Sequence, residues 1–239
     1  MSGTRTHAAP GVRPVIGVDA GTVSLAEADH LVHDLVARLG GLPPGTVVCT
    51  HLVRTDERRG TVVSFAFPEG PDTATDADAV ADGVADAVVT DADAVWERIT
   101  GPVEEGGHLP PVLGAVFGER THGSPAGVSA AALAAGEHGG RLGGRAVLYP
   151  GSDRLTGTVT VAEVLGLSAV ERITVIGAPA GPGGPDDGGP DPATPVLTRD
   201  HVRPEWRDGR LTLALVPAVG GTLAPFEVPD PTPCCADHA

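Results

Sequence analysis

Residues 87–163 decide the fold of this chain. They contain VVTDADAVWERI (88–99), LPPVLGAVFGERTHGSPAGVSAAALAA (109–135) and GRLGGRAVLYPGSDRLTGTVTVAE (140–163). The pattern predicts a strand at 87–90, a helix, a second strand, a helix that begins at Ser124, and a closing hairpin built from 146–149 and 156–161. Strands and helices that alternate in this way predict an α/β protein with a mixed sheet and covering helices.

The N-terminal part of the chain shows a strand–helix–hairpin pattern. Residues 15–18 form a short apolar run, and Ser24 with Glu27 has the capping-box spacing that begins a helix. Two β-branched runs, 46–53 and 61–67, flank a charged turn that contains glycine, which predicts an antiparallel hairpin.

Residues 15–22, VIGVDAGT, resemble the first phosphate motif of the actin-like ATPases. In that family a Gly-Thr turn joins two strands and presents backbone N–H groups to the phosphates. Here the same residues lead into the helix that begins at Ser24. We therefore expect a strand-to-helix turn rather than a nucleotide site.

Composition divides the chain into four parts. Residues 1–12 read as a disordered tail and 13–177 as one α/β domain. Residues 178–195 are rich in Pro and Gly, which predicts a linker or loop. Residues 196–239 then form an extended C-terminal strand segment that ends in a Cys-containing tail.

Charge and residue usage exclude several classes of function. The formal net charge of −15 opposes binding to nucleic acid and to anionic membranes. All 16 basic residues are arginines, so Schiff-base and P-loop chemistry based on lysine is excluded. Aromatic residues make up only 3% of the chain, and a Val, Leu and Ala core favours parallel strands covered by Ala-rich helices. No run approaches the ~20 apolar residues of a membrane span, and we expect a cytoplasmic protein.

In order and spacing, residues 87–163 resemble the C-terminal half of a type III ketoacyl synthase, a thiolase-like protein. The resemblance implies a thiolase-like half domain. It also places Asp91 where that family has a catalytic His, and Ser124 where it has a Gly-Asn turn. His122 lies in the loop expected between a strand and the helix that begins at Ser124, and such loops are where α/β proteins gather functional groups. Asp91, His122 and Ser124 are therefore the expected substrate-binding residues. Ser124 is also explained as a plain helix cap before Pro125.

The chemistry of that family is not supported by these residues. A condensing enzyme needs a thiolate at a helix N-terminus and donors for an oxyanion, but Cys49 lies in a strand-like run and a carboxylate at position 91 only accepts hydrogen bonds. The sequence therefore predicts a non-catalytic accessory or binding protein. The resemblance implies a degenerate ketoacyl-synthase-like protein in acyl-chain or polyketide metabolism. Its expected partner is another protein or an acyl carrier, and a homo-oligomer is left open.

The C-terminal tail suggests a different class of function. Cys234, Cys235 and His238 carry ligands that suit Zn²⁺ or Cu(I), and Cys49 with His51 would offer two more on one side of a strand. Adjacent cysteines rarely ligate one metal with good geometry, and exposed tail cysteines explain the same residues. A metal-binding protein or metalloenzyme accessory is the alternative hypothesis.

Overall fold

The computed structural model describes residues 14–68, 92–101, 111–177 and 189–228. The helices in these residues are α1 (Leu25–Arg38), α2 (Ala92–Thr100), α3 (Pro125–Gly139) and α4 (Val161–Leu167). The strands are β1 (Val15–Asp19), β2 (Val47–Arg54), β3 (Arg59–Ala66), β4 (Gly114–Phe117), β5 (Arg120–Gly123), β6 (Arg145–Leu148), β7 (Thr158–Thr160), β8 (Arg172–Val175), β9 (Pro195–Leu197), β10 (Glu205–Arg207), β11 (Arg210–Pro217) and β12 (Leu223–Pro225). None of the described helices has the length and apolar character to cross a membrane.

The strands form one mixed sheet in the order β5-β4-β1-β3-β2-β6-β10-β11-β12-β9-β7, and β8 pairs with β11. This confirms the predicted mixed sheet with helices. Only the β8–β11 and β12–β9 pairs are parallel, so the expectation of mainly parallel strands was wrong. Two-residue turns join β4 to β5 and β10 to β11, and such short turns connect antiparallel neighbours only.

The predicted elements of the N-terminal part are present. The Ser24 hydroxyl accepts a hydrogen bond from the Glu27 backbone N–H, and the Glu27 carboxylate accepts one from the Ser24 N–H, so the capping box begins α1 as expected. Strands β2 and β3 form the predicted antiparallel hairpin.

Helices cover both faces of the sheet in this part of the molecule. The buried side chains of α1 and α2 pack on one face, against β-strand residues such as Val63 and Phe65. Helix α3 packs on the other face and approaches the sheet closely: a Cβ added at Gly17 would lie 2.1 Å from the carbonyl oxygen of Ala131. Only small residues permit this separation.

Strands from the C-terminal segment continue the same sheet. Strand β10 pairs with β6 on one side and β11 on the other. A second apolar cluster forms here, in which Tyr149, Val164, Trp206 and Leu213 are buried.

The predicted closing hairpin does not form. Strand β6 lies between β2 and β10, whereas β7 pairs with β9. A 3₁₀ turn at Ser152–Arg154 follows β6, and Leu155 after it is buried in the second cluster. Thr160 then caps α4 through a capping box with Glu163, so the strand expected to run to residue 161 ends at Thr160.

Candidate functional site: a buried hydrogen-bond network beside two clefts

A continuous series of polar side chains crosses the interior next to α3. The Glu137 carboxylate lies 2.9 Å from His51 Nδ1, and His51 Nε2 lies 2.7 Å from Ser64 Oγ. The same Ser64 oxygen lies 2.7 Å from His138 Nδ1, and His138 Nε2 lies 3.7 Å from Cys49 Sγ. We call these five residues the core network.

The strand and helix periods bring the core network together. Cys49 and His51 are two apart on β2 and share the face that α3 covers. Ser64 on β3 is the register partner of Cys49. Glu137 and His138 come from the last turn of α3. Two strands and one helix therefore supply all five side chains.

The core network is closed to solvent except at one end. Cys49 and Ser64 are 0% exposed, and His51 and His138 are 2% exposed. The Glu137 side chain is 51% exposed. Any exchange of protons with water therefore takes place at Glu137.

The donors of the core network can be assigned from the chemistry of its groups, taking both imidazoles as neutral. A carboxylate only accepts, so His51 Nδ1–H donates to Glu137 and leaves Nε2 to accept from the Ser64 hydroxyl. That hydroxyl has one proton, so it accepts from His138 Nδ1–H. His138 Nε2 then accepts from the Cys49 thiol. In each of the four hydrogen bonds the donor is therefore on the Cys49 side and the acceptor on the Glu137 side.

Local electrostatics keep the two ends of the core network in different protonation states. The hydrogen bond from His51 holds the pKa of the Glu137 carboxyl below its ordinary value of 4.5, although partial burial acts in the other direction. Burial raises the pKa of the Cys49 thiol far above 9.0, and Trp206 and Arg145 offset this only in part. At neutral pH the carboxyl is ionised and the thiol is protonated.

Gly144 leaves room for the His51 ring. Its φ is +107°, and a Cβ at this position would lie 2.5 Å from His51 Cε1. Both the backbone conformation and the close approach therefore require glycine.

Three members of the core network have the contacts of a carboxylate–imidazole–hydroxyl triad, in the order Glu137, His51, Ser64. Ser64 is fully buried, however, and its oxygen also contacts His138. A substrate carbonyl has no path to this hydroxyl. The arrangement is a satisfied core network rather than an exposed nucleophile.

Two clefts open beside the core network. The Trp206 cleft has a volume of about 580 Å³ and is lined by Gly45, Val47, Arg141, Pro150, Leu165, Ser168, Ala169, Val170, Glu171, Trp206 and Leu211. The Glu137 cleft has a volume of about 300 Å³ and is lined by Leu25, Thr50, His51, Leu52, Glu137, Gly144, Arg145, Glu205 and Glu227. The larger cleft is within the size range of small-molecule sites, and the smaller is at its lower limit.

A buried ion-pair cluster forms one wall of the Glu137 cleft. Arg145 is 7% exposed and binds Asp29 with both terminal nitrogens, and it also binds the Glu227 carboxylate. Burial alone would raise the pKa of Asp29 and Glu227, but the hydrogen bonds and charge of Arg145 outweigh it and lower both pKa values. His201 and Arg203 add further contacts to the same carboxylates.

The strand-to-helix turn after β1 is as predicted and is closed by an ion pair. Asp19 is 0% exposed, and its two carboxylate oxygens each lie 2.9 Å from a nitrogen of Arg58. One of them also accepts the Gly21 N–H. These contacts stabilise the turn. They pair the Asp19 carboxylate with the Arg58 guanidinium and with the Gly21 N–H.

The described residues include two of the residues predicted for substrate binding and for the tail metal site, Ser124 and His122; Cys49 and His51, the additional ligands considered for that metal, belong to the core network. Ser124 is the N-cap of α3: its oxygen accepts from the Gly127 N–H, and its hydroxyl donates to the Leu113 carbonyl. His122 was expected in a loop, but it is an exposed residue of the edge strand β5, opposite Ala115. The two-residue turn after β4 brings the chain back beside it, and residues 120–123 pair with β4 as a strand that includes His122.

The other predicted site residues lie outside the described ranges: Asp91, Cys234, Cys235 and His238. Among the described residues, no group of three or more His, Cys, Asp or Glu side chains is placed to hold a metal ion. The tail as a metal site therefore stays a prediction, as does substrate binding at Asp91.

Sequence reasoning missed Ser64, Glu137 and His138. A signal for His138 was present, because the buried positions of α3 are spaced as one helical stripe that ends at this histidine: Gly127, Ala130, Ala131, Ala134 and His138. The alternation of β3 likewise places Ser64 on the same face of the sheet as Cys49 of β2.

No family model, curated protein or solved structure matches the chain.

Proposed function

We propose that this protein is a non-catalytic binding protein that holds a small ligand in a surface cleft. The observation that carries the proposal is the complete burial of Cys49 and Ser64, the only two side chains of the core network able to act as nucleophiles. Both are engaged in contacts with histidines. A ligand in either cleft meets Glu137 or Trp206 rather than the Cys49 sulfur or the Ser64 oxygen.

The thiol is also unsuited to thioester chemistry. Condensing enzymes use a thiolate that a helix N-terminus stabilises. Cys49 lies in the middle of β2, and burial raises its pKa, so the thiol stays protonated at neutral pH. Resemblance to the ketoacyl synthases is the reason to place the ligand in acyl-chain or polyketide metabolism, with an acyl carrier or another protein as partner.

Chemical labelling tests this proposal directly. In a variant with Cys234→Ser and Cys235→Ser, Cys49 is the remaining thiol. We expect 5,5′-dithiobis(2-nitrobenzoate) to react with Cys49 in the folded protein at least 100-fold more slowly than in guanidinium. A fluorophosphonate probe should leave Ser64 unlabelled, with Ser64→Ala as the matched control.

Rapid labelling of either residue in the folded protein would refute the proposal. So would decarboxylative condensation of a thioester that is lost in Cys49→Ser. Either result would require a state in which the core network opens to substrate.

A further inference from the structure

The Trp206 cleft contains an arginine whose charge is not neutralised by any residue that the structure describes. Arg141 lines this cleft and is half-buried, and its side chain makes one long hydrogen bond, 3.5 Å from Nη1 to the Gly209 carbonyl. Arg145, which lines the other cleft, binds two carboxylates, and Arg58 at the turn after β1 binds Asp19. In a chain with 31 acidic residues, an unpaired guanidinium in a cleft is a specific feature.

The backbone holds Arg141 in an unusual conformation. It follows Gly140, the C-cap of α3, and its φ is +52°. Helices commonly end with a residue in this left-handed region, but that residue is usually glycine. Here that residue is Arg141, and its guanidinium reaches the Trp206 ring.

The guanidinium lies over an aromatic ring. Arg141 Cζ lies 4.8 Å from the centre of the Trp206 ring, and Trp206 is 5% exposed. This cation–π contact places the guanidinium against the ring, and among the described residues its N–H groups bind only the Gly209 carbonyl. Such a fork matches the two oxygens of a carboxylate.

The rest of the cleft is suited to a short apolar group. Val47, Val170 and Leu211 are buried walls, and Leu165 is a partly exposed one. Glu171 also lines the cleft, where its carboxylate accepts the Leu211 N–H. Because Glu171 adds a negative charge to the lining without pairing with Arg141, the cleft favours a ligand with one negative charge over a doubly charged phosphate ester.

We propose that the Trp206 cleft binds a small carboxylic acid with an apolar tail, and that Arg141 holds its carboxylate. This inference deepens the proposed function and rests on it. It also gives the accessory protein a ligand class consistent with acyl-chain metabolism.

Hexanoate is the probe for this site, with 1-hexanol and hexylamine as uncharged and cationic controls of the same length. Binding is measured at neutral pH by calorimetry and by the indole N–H signals of the two tryptophans in a ¹⁵N spectrum. We expect hexanoate to shift the Trp206 signal and to leave Trp96, which lies in the other apolar cluster, unchanged. Hexanol and hexylamine should bind at least tenfold more weakly.

Two variants of Arg141 separate charge from packing. Arg141→Gln should weaken hexanoate binding at least tenfold, because a charged hydrogen-bond donor is lost. Arg141→Lys keeps the charge but loses the fork, and should have an intermediate effect. Arg38→Gln, at an exposed position on α1, removes the same charge and should change binding less than twofold.

Each other outcome would overturn a defined part of the argument. Equal binding of hexanol, or of hexanoate to Arg141→Gln, would remove Arg141 as the carboxylate ligand, and no detectable hexanoate binding would remove the site. If hexylamine bound instead, the ligand class would be wrong and the protein would still be a binding protein. Labelling of Cys49 or Ser64 in the folded state would refute the proposed function itself.

Discussion

Replacing Ser64 with alanine tests whether the core network stabilises the fold. The substitution removes one oxygen that lies 2.7 Å from His51 Nε2 and 2.7 Å from His138 Nδ1. Both imidazoles are 2% exposed, so water cannot replace the lost partner. One nitrogen loses a donor and the other loses an acceptor.

The cost follows from these two groups. A buried polar group left without a partner costs about 1–3 kcal/mol, and alanine fills nearly the same volume as serine. We therefore expect Ser64→Ala to lower the free energy of unfolding by about 2–5 kcal/mol, the sum for two such groups after small local adjustment. The loss is large compared with the total stability of a typical domain.

Urea unfolding followed by circular dichroism at neutral pH measures this loss. Ser152→Ala is the control, because the Ser152 hydroxyl oxygen accepts only one long bond, 3.5 Å from the Tyr149 N–H, and the change should stay within about 0.5 kcal/mol. Ser64→Ala combined with His138→Ala should be less destabilised than the sum of the single variants, by about 1 kcal/mol or more. A Ser64→Ala protein as stable as wild type, with additive double-variant effects, would refute the reasoning.

Three further predictions concern packing, charge and the tail. Gly17→Ala should destabilise the protein by about 1–3 kcal/mol, because its Cβ would meet the Ala131 carbonyl; Gly136→Ala, at an open helix position, should stabilise by about 0.5–1 kcal/mol, as urea unfolding will show. Arg145→Met should cost about 3 kcal/mol at neutral pH. The folded-state pKa values of Asp29 and Glu227 lie below their ordinary values of 3.8 and 4.5, so the stability that these two ionised carboxylates contribute is lost as the pH falls below those ordinary values. Because Arg145→Met removes the main cause of the lowered pKa values, the free energy of unfolding should depend less on pH between about 5 and 3 in that variant. Intact protein should contain Zn²⁺ or Cu(I) if the predicted tail site exists, and Cys234→Ser with Cys235→Ser should lose it; equal metal content in both would contradict the prediction.

The elements that the sequence predicts correctly depend on local rules. Helix α1 begins at Ser24 because the capping box satisfies its first backbone donors, and α3 begins after Ser124 for a related reason. The hairpin of β2 and β3 follows from two β-branched runs around one turn. These features need only neighbouring residues.

Features that depend on distant contacts were not predictable in the same way. Strand β6 lies between β2 and β10, and its Arg145 pairs with Thr50 on one side and with Glu205 on the other. These partners are about 100 residues before Arg145 and about 60 residues after it in the chain. The core network likewise joins three elements through contacts such as Ser64 with His138. Periodicity indicates which face each residue occupies, but it does not indicate which element covers that face.

The core network has a structural consequence for α3. The buried face of this helix consists of Gly and Ala up to Ala134, and Gly127 lies so close to the Leu113 carbonyl that an added Cβ would be 2.4 Å from its oxygen. A shift of α3 by one turn would move His138 along the helix axis by about 5.4 Å, which would break its 2.7 Å contact with Ser64. Because the loss of a buried hydrogen bond is costly, the polar end of the stripe favours the same register as the close approach of Gly127 to Leu113. The same register places Arg141, just beyond the helix end, over Trp206, so the core network also fixes the position of the residue to which we assign ligand binding.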